Sequence, residues 1–520
     1  MKSETPMKIA FVTHEYGLMR NGGGIGGYLY YFSKMLLEYS TDIEIYVLTC
    51  TYHKRSDLAD ENRIHIFKLN GKKLSENGKL VREILKKVQP DFVEVSDYLG
   101  LCLESMVYKH IVGKNLNDTV FLQYCHTATK EIYEWGGFGN VLDAKPRVKV
   151  PISREWSQTV LADVVMAPSS FLQNYVEEHY GIKKPERIPY AMDVEPVDRA
   201  ELLKSMNDCY DLEEYNNTFV VNYITRFEGR KNQPLLVRAF IRFLEMKDSK
   251  ALLILAGNSM ENLKTGKNLM LEIYEEIPEK FRKNILFFEF ATLEEKKKIY
   301  AVSDLTVMAS PYENFPLSMI ESVRYGVPIM TSVNCGGFDY MGDYQNAMTF
   351  DAFNEGDLLK KMINFRNLDR AERDVILKEE QRELVKLCSK ENAMLRKFSL
   401  FQEERGRKEK KTAYRIMKAG EDDTGEIDDE NILFVKDGNL TSRRKKAIDA
   451  IICRIAKHPG SFCISLGDDT LHTDCNMAWE ADYPVLFTHV QSGQTTEKEL
   501  FQRLKQEREK EFFSIPMKVR

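Results

Sequence analysis

The chain has 520 residues, 43% of them hydrophobic and 29% charged, which is typical of a folded soluble protein and excludes a disordered or membrane-embedded one. The formal net charge of −5 excludes a general attraction to nucleic acid. Nine cysteines occur without a C-x-x-C pair, which favours reduced thiols over a disulfide framework or a zinc site.

The first residues, Met1 to Pro6, are polar and lead directly into an apolar run, so the features of a signal peptide are missing. No stretch approaches the roughly 20 apolar residues that a spanning helix needs. We therefore expect a cytoplasmic protein, and peripheral attachment at the inner face of a membrane stays open.

Short apolar runs alternate with helical patterns over the first 200 residues. The runs predict buried strands at Lys8–Thr13, Ile43–Thr49, Phe92–Val95, Val120–Tyr124 and Val164–Ala167. The periodic segments between them predict helices at Tyr28–Glu38, Leu80–Val88 and Ser170–Glu178. This alternation indicates β-α-β units and a parallel sheet.

The same alternation restarts after a polar stretch at residues 193–217. The second set of strands is predicted at Phe219–Ile224, Ala251–Ala256, Ile285–Phe288, Leu305–Met308 and Pro328–Thr331. The second set of helices is predicted at Leu235–Glu245, Leu293–Ala301 and Leu317–Tyr325. The fold class is therefore α/β, with two doubly wound Rossmann-like domains at residues 1–200 and 201–403 whose ligand-binding strand ends face a cleft.

The remaining residues carry a different pattern. Residues 354–402 have a helical pattern, and residues 404–431 contain a basic run followed by an acidic one, which predicts a charged, solvated linker. Residues 432–520 predict a small appended module of unknown role. Asp468 and Asp469 end an apolar run there, which favours a loop at a strand end over a metal site, while an interaction or membrane-docking role stays open.

The strongest motif begins at Ser310 and reads S-P-Y-E-N-F-P-L-S-M-I-E. It places Glu313 in the loop after a strand and Glu321 one or two turns into the following helix. A helix N-terminus offers free N–H groups to an anion, and each carboxylate can accept bonds from neighbouring sugar hydroxyls. For two glutamates alone, a surface loop residue and a solvated helix face are the more common explanation.

A second motif, T-R-F-E-G-R-K, follows the strand Phe219–Ile224. Its three cations, Arg226, Arg230 and Lys231, lie at the carboxyl end of that strand. Arginine offers a planar fork and lysine a point charge, which together suit a diphosphate. A basic surface turn is the alternative.

Residues 21–27 read N-G-G-G-I-G-G, and glycines allow backbone N–H groups to approach a phosphate closely. The spacing also matches G-x-G-x-x-G, but eight residues separate it from the preceding strand, and no acid follows the next one. We therefore predict a phosphate or acceptor loop rather than a dinucleotide site.

His126 follows the strand Val120–Tyr124 at its carboxyl end. A lone histidine is more often structural, but this position also suits hydrogen bonding to a sugar or proton transfer.

In this order the motifs resemble the retaining glycosyltransferases of family 4, the group 1 type, which have the GT-B fold. Glu313 and Glu321 match the E-x7-E motif of that family, and Arg226 and Lys231 match its R-x4-K motif. The glycine loop and His126 match two further features, and the segment L-A-D-V-V-M-A-P-S from Leu161 resembles a fifth. The resemblance covers about residues 7–400.

The resemblance implies a role for each matching residue. Arg226 and Lys231 neutralise the donor diphosphate without a metal or other cofactor, Glu321 binds the ribose, and Glu313 and His126 contact the transferred sugar. The remaining donor-binding residues it implies are Gly23, Gly24 and the backbone N–H groups of Asn314, Phe315 and Leu317. The partners it implies are a nucleotide-sugar donor and a glycan, lipid-linked or protein acceptor.

Four positions depart from the family pattern. Thr225 replaces a glycine, Pro316 replaces a glycine and removes an N–H group, Y-A-M-D at Tyr190 replaces N-G-V-D, and Phe338 follows the glycine pair without the usual glutamate nearby. Two other functions stay open from the sequence. One is a nucleotide-sugar or glycan-binding protein without turnover, and the other is an NAD-dependent sugar-nucleotide oxidoreductase or epimerase.

Overall fold

A computed structural model describes residues 6–17, 24–52, 63–111, 116–139, 141, 144–180, 182, 185–202, 217–246, 250–261, 265–289 and 292–404, and five strands beyond them. Gly23, residues 405–414 and 419–429 of the predicted linker, and Asp468 and Asp469 lie outside the described residues.

The first sheet has seven parallel strands in the order β3-β2-β1-β4-β5-β6-β7. Its strands are β1 (Met7–Tyr16), β2 (Ile43–Tyr52), β3 (Ile64–Lys68), β4 (Phe92–Ser96), β5 (Val120–Tyr124), β6 (Val164–Ala167) and β7 (Glu186–Arg187). Its helices are α1 (Gly24–Tyr39), α2 (Leu74–Val88), α3 (Leu103–Ile111), α4 (Thr129–Trp135), α5 (Pro146–Leu161) and α6 (Ser170–Tyr180). All five predicted strands are present, and the edge strands β3 and β7 are additional.

The second sheet has six parallel strands in the order β10-β9-β8-β11-β12-β13. Its strands are β8 (Phe219–Ile224), β9 (Ala251–Ala256), β10 (Ile285–Phe288), β11 (Leu305–Met308), β12 (Ile329–Ser332) and β13 (Thr349–Phe350). Its helices are α7 (Gln233–Met246), α8 (Leu269–Glu275), α9 (Leu293–Val302), α10 (Leu317–Arg324) and α11 (Gln345–Met348). The predicted fold class of two doubly wound α/β domains is confirmed.

Local sequence explains these elements. Every residue of β8 and β9 is buried, as expected for central strands of a parallel sheet that is covered on both faces. Helix α9 begins after Thr292, whose hydroxyl accepts from the N–H of Glu295 while the Glu295 carboxylate accepts from the N–H of Thr292. Pro316 lies one residue before α10, at its N-cap, rather than in its first turn.

Three helices follow the second sheet, namely α12 (Glu355–Asn367), α13 (Arg370–Cys388) and α14 (Lys390–Glu404). The last of them packs against the first domain, where Phe401 stacks on Phe92 with ring centroids 4.0 Å apart. One buried hydrophobic cluster includes side chains of both sheets and of α14. The two domains therefore share a packed interface.

A third sheet, in the order β14-β15-β17-β16-β18, lies beyond residue 404. Its strands are β14 (Arg415–Lys418), β15 (Glu430–Val435), β16 (Phe462–Ser465), β17 (Pro484–Val490) and β18 (Phe513–Pro516). Strand β14 falls within the predicted linker and pairs with β15 in parallel. Short apolar stretches such as R-I-M-K were too brief to stand out between the charge runs.

Among the described residues, every helix is too short or too polar to cross a membrane. The cysteines whose side chains are described, Cys50, Cys102, Cys125, Cys335 and Cys388, are free thiols.

Candidate active site

Strands β8 and β11 are neighbours in the second sheet although β9 and β10 lie between them in the chain. The strand order reverses between β8 and β11, so the loops at their carboxyl ends run in opposite directions and leave a crevice, which is where doubly wound sheets bind ligands. The loop after β8 carries the predicted cations, and the loop after β11 carries Glu313. The fold therefore brings the two strongest motifs to one place.

Two of the predicted cations contact the carboxylate of Glu313. Lys231 Nζ donates a hydrogen bond to its Oε2, and Arg230 Nη1 lies 3.1 Å from the same oxygen. Arg230 Nη2 also donates to Glu228 Oε1 at 2.9 Å, and Arg226 Nη2 lies 3.4 Å from Glu228 Oε2. The three cations and the two carboxylates form one continuous series of ion pairs, which we call the ion-pair chain.

The inner end of the ion-pair chain is buried and its outer end is open. The side chains of Lys231 and Glu313 are each 9% exposed, whereas that of Arg226 is 44% exposed. Burial alone raises the pKa of a carboxyl, but Lys231 and Arg230 outweigh burial and lower the pKa of Glu313 to about 2. Glu313 is therefore a carboxylate at neutral pH, and Arg226 is accessible to an anion.

Glu321 lies in a different setting. It occupies the second turn of α10, where Lys296 Nζ is 3.1 Å from its carboxylate and the Tyr300 hydroxyl donates to it at 3.3 Å. Within the described residues it forms no ion pair with a cation of the β8 loop. Of the four residues that match the two family motifs, Arg226, Lys231 and Glu313 thus belong to one cluster and Glu321 does not. The contact of Glu321 with the ribose stays a prediction.

His126 lies at the end of β5 in a box of aromatic rings. Its Nδ1 is 2.5 Å from the hydroxyl of Tyr190, and its ring centroid is 4.9 Å from that of Tyr124 and 5.6 Å from that of Tyr28. Tyr190 in turn contacts Phe315 edge-on, with centroids 5.3 Å apart. His126 is therefore linked through Tyr190 to the loop after β11.

A buried lysine of α14 supports this aromatic box. Nζ of Lys397 lies 2.5 Å from Oε2 of Glu94 and 2.5 Å from the hydroxyl of Tyr28. Tyr28 stacks on Tyr190 with centroids 4.4 Å apart, so the lysine is linked through Tyr28 to the partner of His126. The charged pair is almost fully enclosed, with side chains 2% and 3% exposed.

Hydrogen bonds also cross from the first domain to the loop after β11. Asn314 Nδ2 donates to Oγ1 of Thr127 at 2.8 Å, and Oγ of Ser169 donates to the carbonyl oxygen of Asn314 at 3.0 Å. A Cβ atom on Gly24 would lie 4.0 Å from Leu317 Cδ1, so the start of α1 faces the start of α10. Residues predicted for the cleft from both halves of the chain are therefore adjacent.

The predicted donor cradle uses the backbone N–H groups of Asn314, Phe315 and Leu317. In the part of the chain that the structure describes, none of the three donates to a protein acceptor. They precede or begin α10, where the helix dipole adds to the attraction for an anion.

The sequence predicted Arg230 only as one of three cations for a diphosphate, and it did not predict Tyr190 or Lys397 as site residues. Arg230 lies in the predicted basic loop, but nothing in the sequence shows that it, rather than Arg226, would contact Glu313. Lys397 carries a clearer signal, because it interrupts the apolar stripe formed by Met394 and Phe401 at helical spacing. A charged residue on a buried helix face requires a partner.

His126 is expected to stay neutral through the physiological pH range. Burial lowers its pKa from 6.5 to about 3, and Lys397 adds to this effect. Because an unfolded histidine binds a proton near pH 6.5 and folded His126 does not, His126 makes the folded state progressively less stable as the pH falls from 6.5 towards 3. The melting temperature of the wild type should therefore fall more steeply between pH 6.5 and 4 than that of His126→Gln.

The matched control for this titration is His179→Gln, which removes an exposed histidine on α6. If the melting temperatures of wild type and His126→Gln changed equally with pH across this range, His126 would take up its proton in the folded protein as readily as in the unfolded chain, and the prediction would be wrong.

Comparison with known proteins gives one family match and a set of distant relatives. Residues 210–383 match the family model described as glycosyl transferases group 1. An uncharacterized 41.2 kDa protein in the cps region of Klebsiella pneumoniae is 19% identical over 51% of this chain and 68% of its own length. A glycogen synthase of Thermosipho africanus is 25% identical over 35% of this chain, and the alignment spans 37% of that enzyme.

Among solved structures, Anabaena Alr3699/HepE in complex with UDP-glucose is similar, with a TM-score of 0.56 and 14% identity over 76% of this chain and all of that one. At this identity the likeness concerns the fold, and it is the GT-B arrangement of two parallel-sheet α/β domains. Together, the family match and the fold support a group 1 glycosyltransferase.

Proposed function

We propose that the chain transfers a hexosyl-type sugar from a UDP- or GDP-sugar to a glycan, lipid-linked or protein acceptor. In this proposal the anomeric configuration is retained and no metal is needed. The observation that carries it is the ion-pair chain, in which Arg226 is accessible and Glu313 directly precedes the residues whose N–H groups lead into α10. Guanidinium and N–H donors of this kind suit a diphosphate.

Each residue of the crevice then has a task. Arg226, Arg230 and Lys231 stabilise the negative charge that develops on the nucleotide diphosphate as its bond to the sugar breaks. Glu313, held as a carboxylate, accepts hydrogen bonds from hydroxyls of the sugar. Glu321 binds the ribose from the adjacent turn of α10.

His126 acts in this scheme as a neutral hydrogen-bonding group. The Tyr190 hydroxyl at 2.5 Å fixes its ring, and the low pKa excludes an imidazolium at neutral pH. The donor phosphate itself takes the proton of the acceptor hydroxyl. The acceptor oxygen therefore attacks the anomeric carbon from the face that the nucleotide occupied. We expect the reaction to occur in the cytoplasm.

The comparisons support the donor class but leave the base and the sugar open. The Anabaena structure was solved with UDP-glucose, which agrees with a nucleotide-sugar donor for a chain of the same fold.

A panel of UDP-, GDP- and ADP-sugars should contain at least one donor that raises the melting temperature of the protein. A ligand at 100 times its Kd stabilises the folded state by about 2.7 kcal/mol. The same donor should be consumed in a transfer or hydrolysis assay at a rate that EDTA does not change. Binding without turnover would favour a binding protein, and a shift only with NAD would favour an oxidoreductase.

A further inference from the structure

Two hydrogen bonds and a set of ring contacts fix His126 at the end of β5. Its backbone N–H donates to Oδ2 of Asp97 at 3.0 Å, and its ring Nδ1 lies 2.5 Å from the hydroxyl of Tyr190. The ring packs against those of Tyr28, Tyr124 and Tyr190, and the residue is only 4% exposed. The imidazole therefore has little freedom to turn.

The other ring nitrogen of His126, Nε2, is left for a ligand. Within the part of the chain that the structure describes, Nε2 forms no hydrogen bond, yet it is not one of the fully enclosed atoms that lack a partner. Thr127 accepts a hydrogen bond from Asn314, and Tyr190 contacts Phe315. His126 thus lies beside the loop after β11, which carries Glu313.

The contact with Tyr190 indicates which ring nitrogen carries the proton. A neutral imidazole has one N–H group, on either Nδ1 or Nε2. If Nδ1 carried it, the Tyr190 oxygen would accept, and the phenol proton would need a second acceptor. Among the described residues, the Tyr190 hydroxyl has no hydrogen-bond partner other than His126. A buried O–H group without an acceptor is unfavourable, so the geometry favours an O–H of Tyr190 that donates to Nδ1 and a proton on Nε2.

The surroundings keep both groups in the state that this arrangement requires. Burial lowers the pKa of His126 to about 3, and the ammonium group of Lys397 acts in the same direction. Burial also raises the pKa of the Tyr190 hydroxyl well above its ordinary value. At neutral pH the imidazole is therefore uncharged and the phenol retains its proton.

Tyr190 is itself well fixed. Its ring stacks on that of Tyr28 with centroids 4.4 Å apart and meets Phe315 edge-on at 5.3 Å. Tyr28 in turn donates to Glu94 at 2.9 Å and accepts from Lys397 at 2.5 Å. Tyr190 also stands at one of the positions where the chain departs from the family pattern, so this arrangement is a feature of this chain.

We propose that Tyr190 is a positioning residue that fixes the Nε2–H tautomer of His126. His126 then acts only as a hydrogen-bond donor, to an oxygen atom of the transferred sugar. The contact with the sugar rests on the proposed function, whereas the tautomer does not. The group of the sugar that meets Nε2 must offer a lone pair, as a hydroxyl does and an ammonium group does not.

The ring nitrogens of His126 report the tautomer directly. The nine histidines of the full chain would be labelled with ¹⁵N, and the His126 signals would be identified by their loss in His126→Ala. In the wild type at neutral pH, without ligand, Nε2 should resonate as a protonated nitrogen and Nδ1 as an unprotonated one. Tyr190→Phe keeps the ring but removes the hydroxyl, so the two tautomers should mix and the two signals should move towards each other.

The matched control is Tyr124→Phe. The Tyr124 ring also contacts His126, but its hydroxyl donates to the carbonyl oxygen of Ile188, so this variant should leave the tautomer unchanged. A proton on Nδ1 in the wild type would overturn the proposal, and the wild-type spectrum decides this even if Tyr190→Phe fails to fold. Unchanged His126 signals in a folded Tyr190→Phe would overturn it as well.

Kinetics test whether Tyr190 acts through His126. Tyr190→Phe should lower kcat/KM for sugar transfer by about ten-fold, the usual effect of one neutral hydrogen bond. In a His126→Ala background, Tyr190→Phe should lower kcat/KM no further, because the hydroxyl then has no ring to position. Equal losses in the two backgrounds would show that Tyr190 acts independently of His126 and would reject its positioning role.

The two experiments separate this proposal from the proposed function. A proton on Nδ1 in a protein that transfers sugar would reject the tautomer alone. The expected spectrum in a protein that consumes no nucleotide sugar would reject the transferase, and with it the sugar contact, while the tautomer would stand.

Discussion

Lys231→Ala is expected to lower kcat/KM for sugar transfer by about 10²–10³-fold, which is the usual effect of removing one preorganised group that stabilises developing charge. Lys231 is the buried end of the ion-pair chain, so water cannot readily replace its ammonium group. Arg230 stays beside Glu313 in the variant, which limits the structural damage. The measurement is steady-state transfer from the donor found in the nucleotide-sugar panel.

The matched control is Lys280→Ala, which removes a lysine of the same domain whose side chain is 69% exposed. It should retain the activity of the wild type. Lys231→Arg restores the charge but not the compact shape of the ammonium, so partial recovery is expected. Full activity of a folded Lys231→Ala would contradict the role assigned to the ion-pair chain.

Lys397→Met should destabilise the protein by about 3–5 kcal/mol, since it leaves Glu94 buried without its partner. Tyr28 would still donate to Glu94 at 2.9 Å, but a single neutral hydrogen bond does not compensate a buried carboxylate. Chemical denaturation would measure the loss. The double variant Lys397→Met with Glu94→Gln should recover most of it.

Helix α14 offers an internal comparison for this ion pair. Lys390 lies 2.7 Å from Glu38 and also joins α14 to the first domain, but the two side chains are 51% and 47% exposed. Lys390→Met should therefore cost only about 0–1 kcal/mol. Equal losses in the two lysine variants would show that burial of the Lys397 pair is not what makes it strong.

Much of the fold could be predicted because central strands of parallel sheets are continuous apolar runs. Ala251–Ala256 is fully buried and was found with its bounds. The edge strand β3 is half exposed, so Ile64–Lys68 gives no such run. Helix α5 contains Pro151, which interrupts the helical pattern in the sequence but is accommodated in the structure.

The site was less accessible to sequence reasoning than the fold. Spacing brought Lys231 and Glu313 to neighbouring strand ends, and the structure joins them by an ion pair. The spacing could not show that Arg230 would contact Glu313 while Arg226 paired with Glu228. Which arginine contacts Glu313 depends on the direction of the side chains in a short turn. Likewise, Tyr190 and His126 are 64 residues apart, and only the folded chain places them together.

Asn314 has a mechanical consequence. Its side chain donates a hydrogen bond to Thr127, and its carbonyl oxygen accepts one from Ser169. A hinge motion that separates the two halves must therefore break both hydrogen bonds. Asn314 directly follows Glu313, and its release would loosen the carboxylate that steadies Lys231. Any separation of the two halves would therefore act first on the loop that carries Glu313.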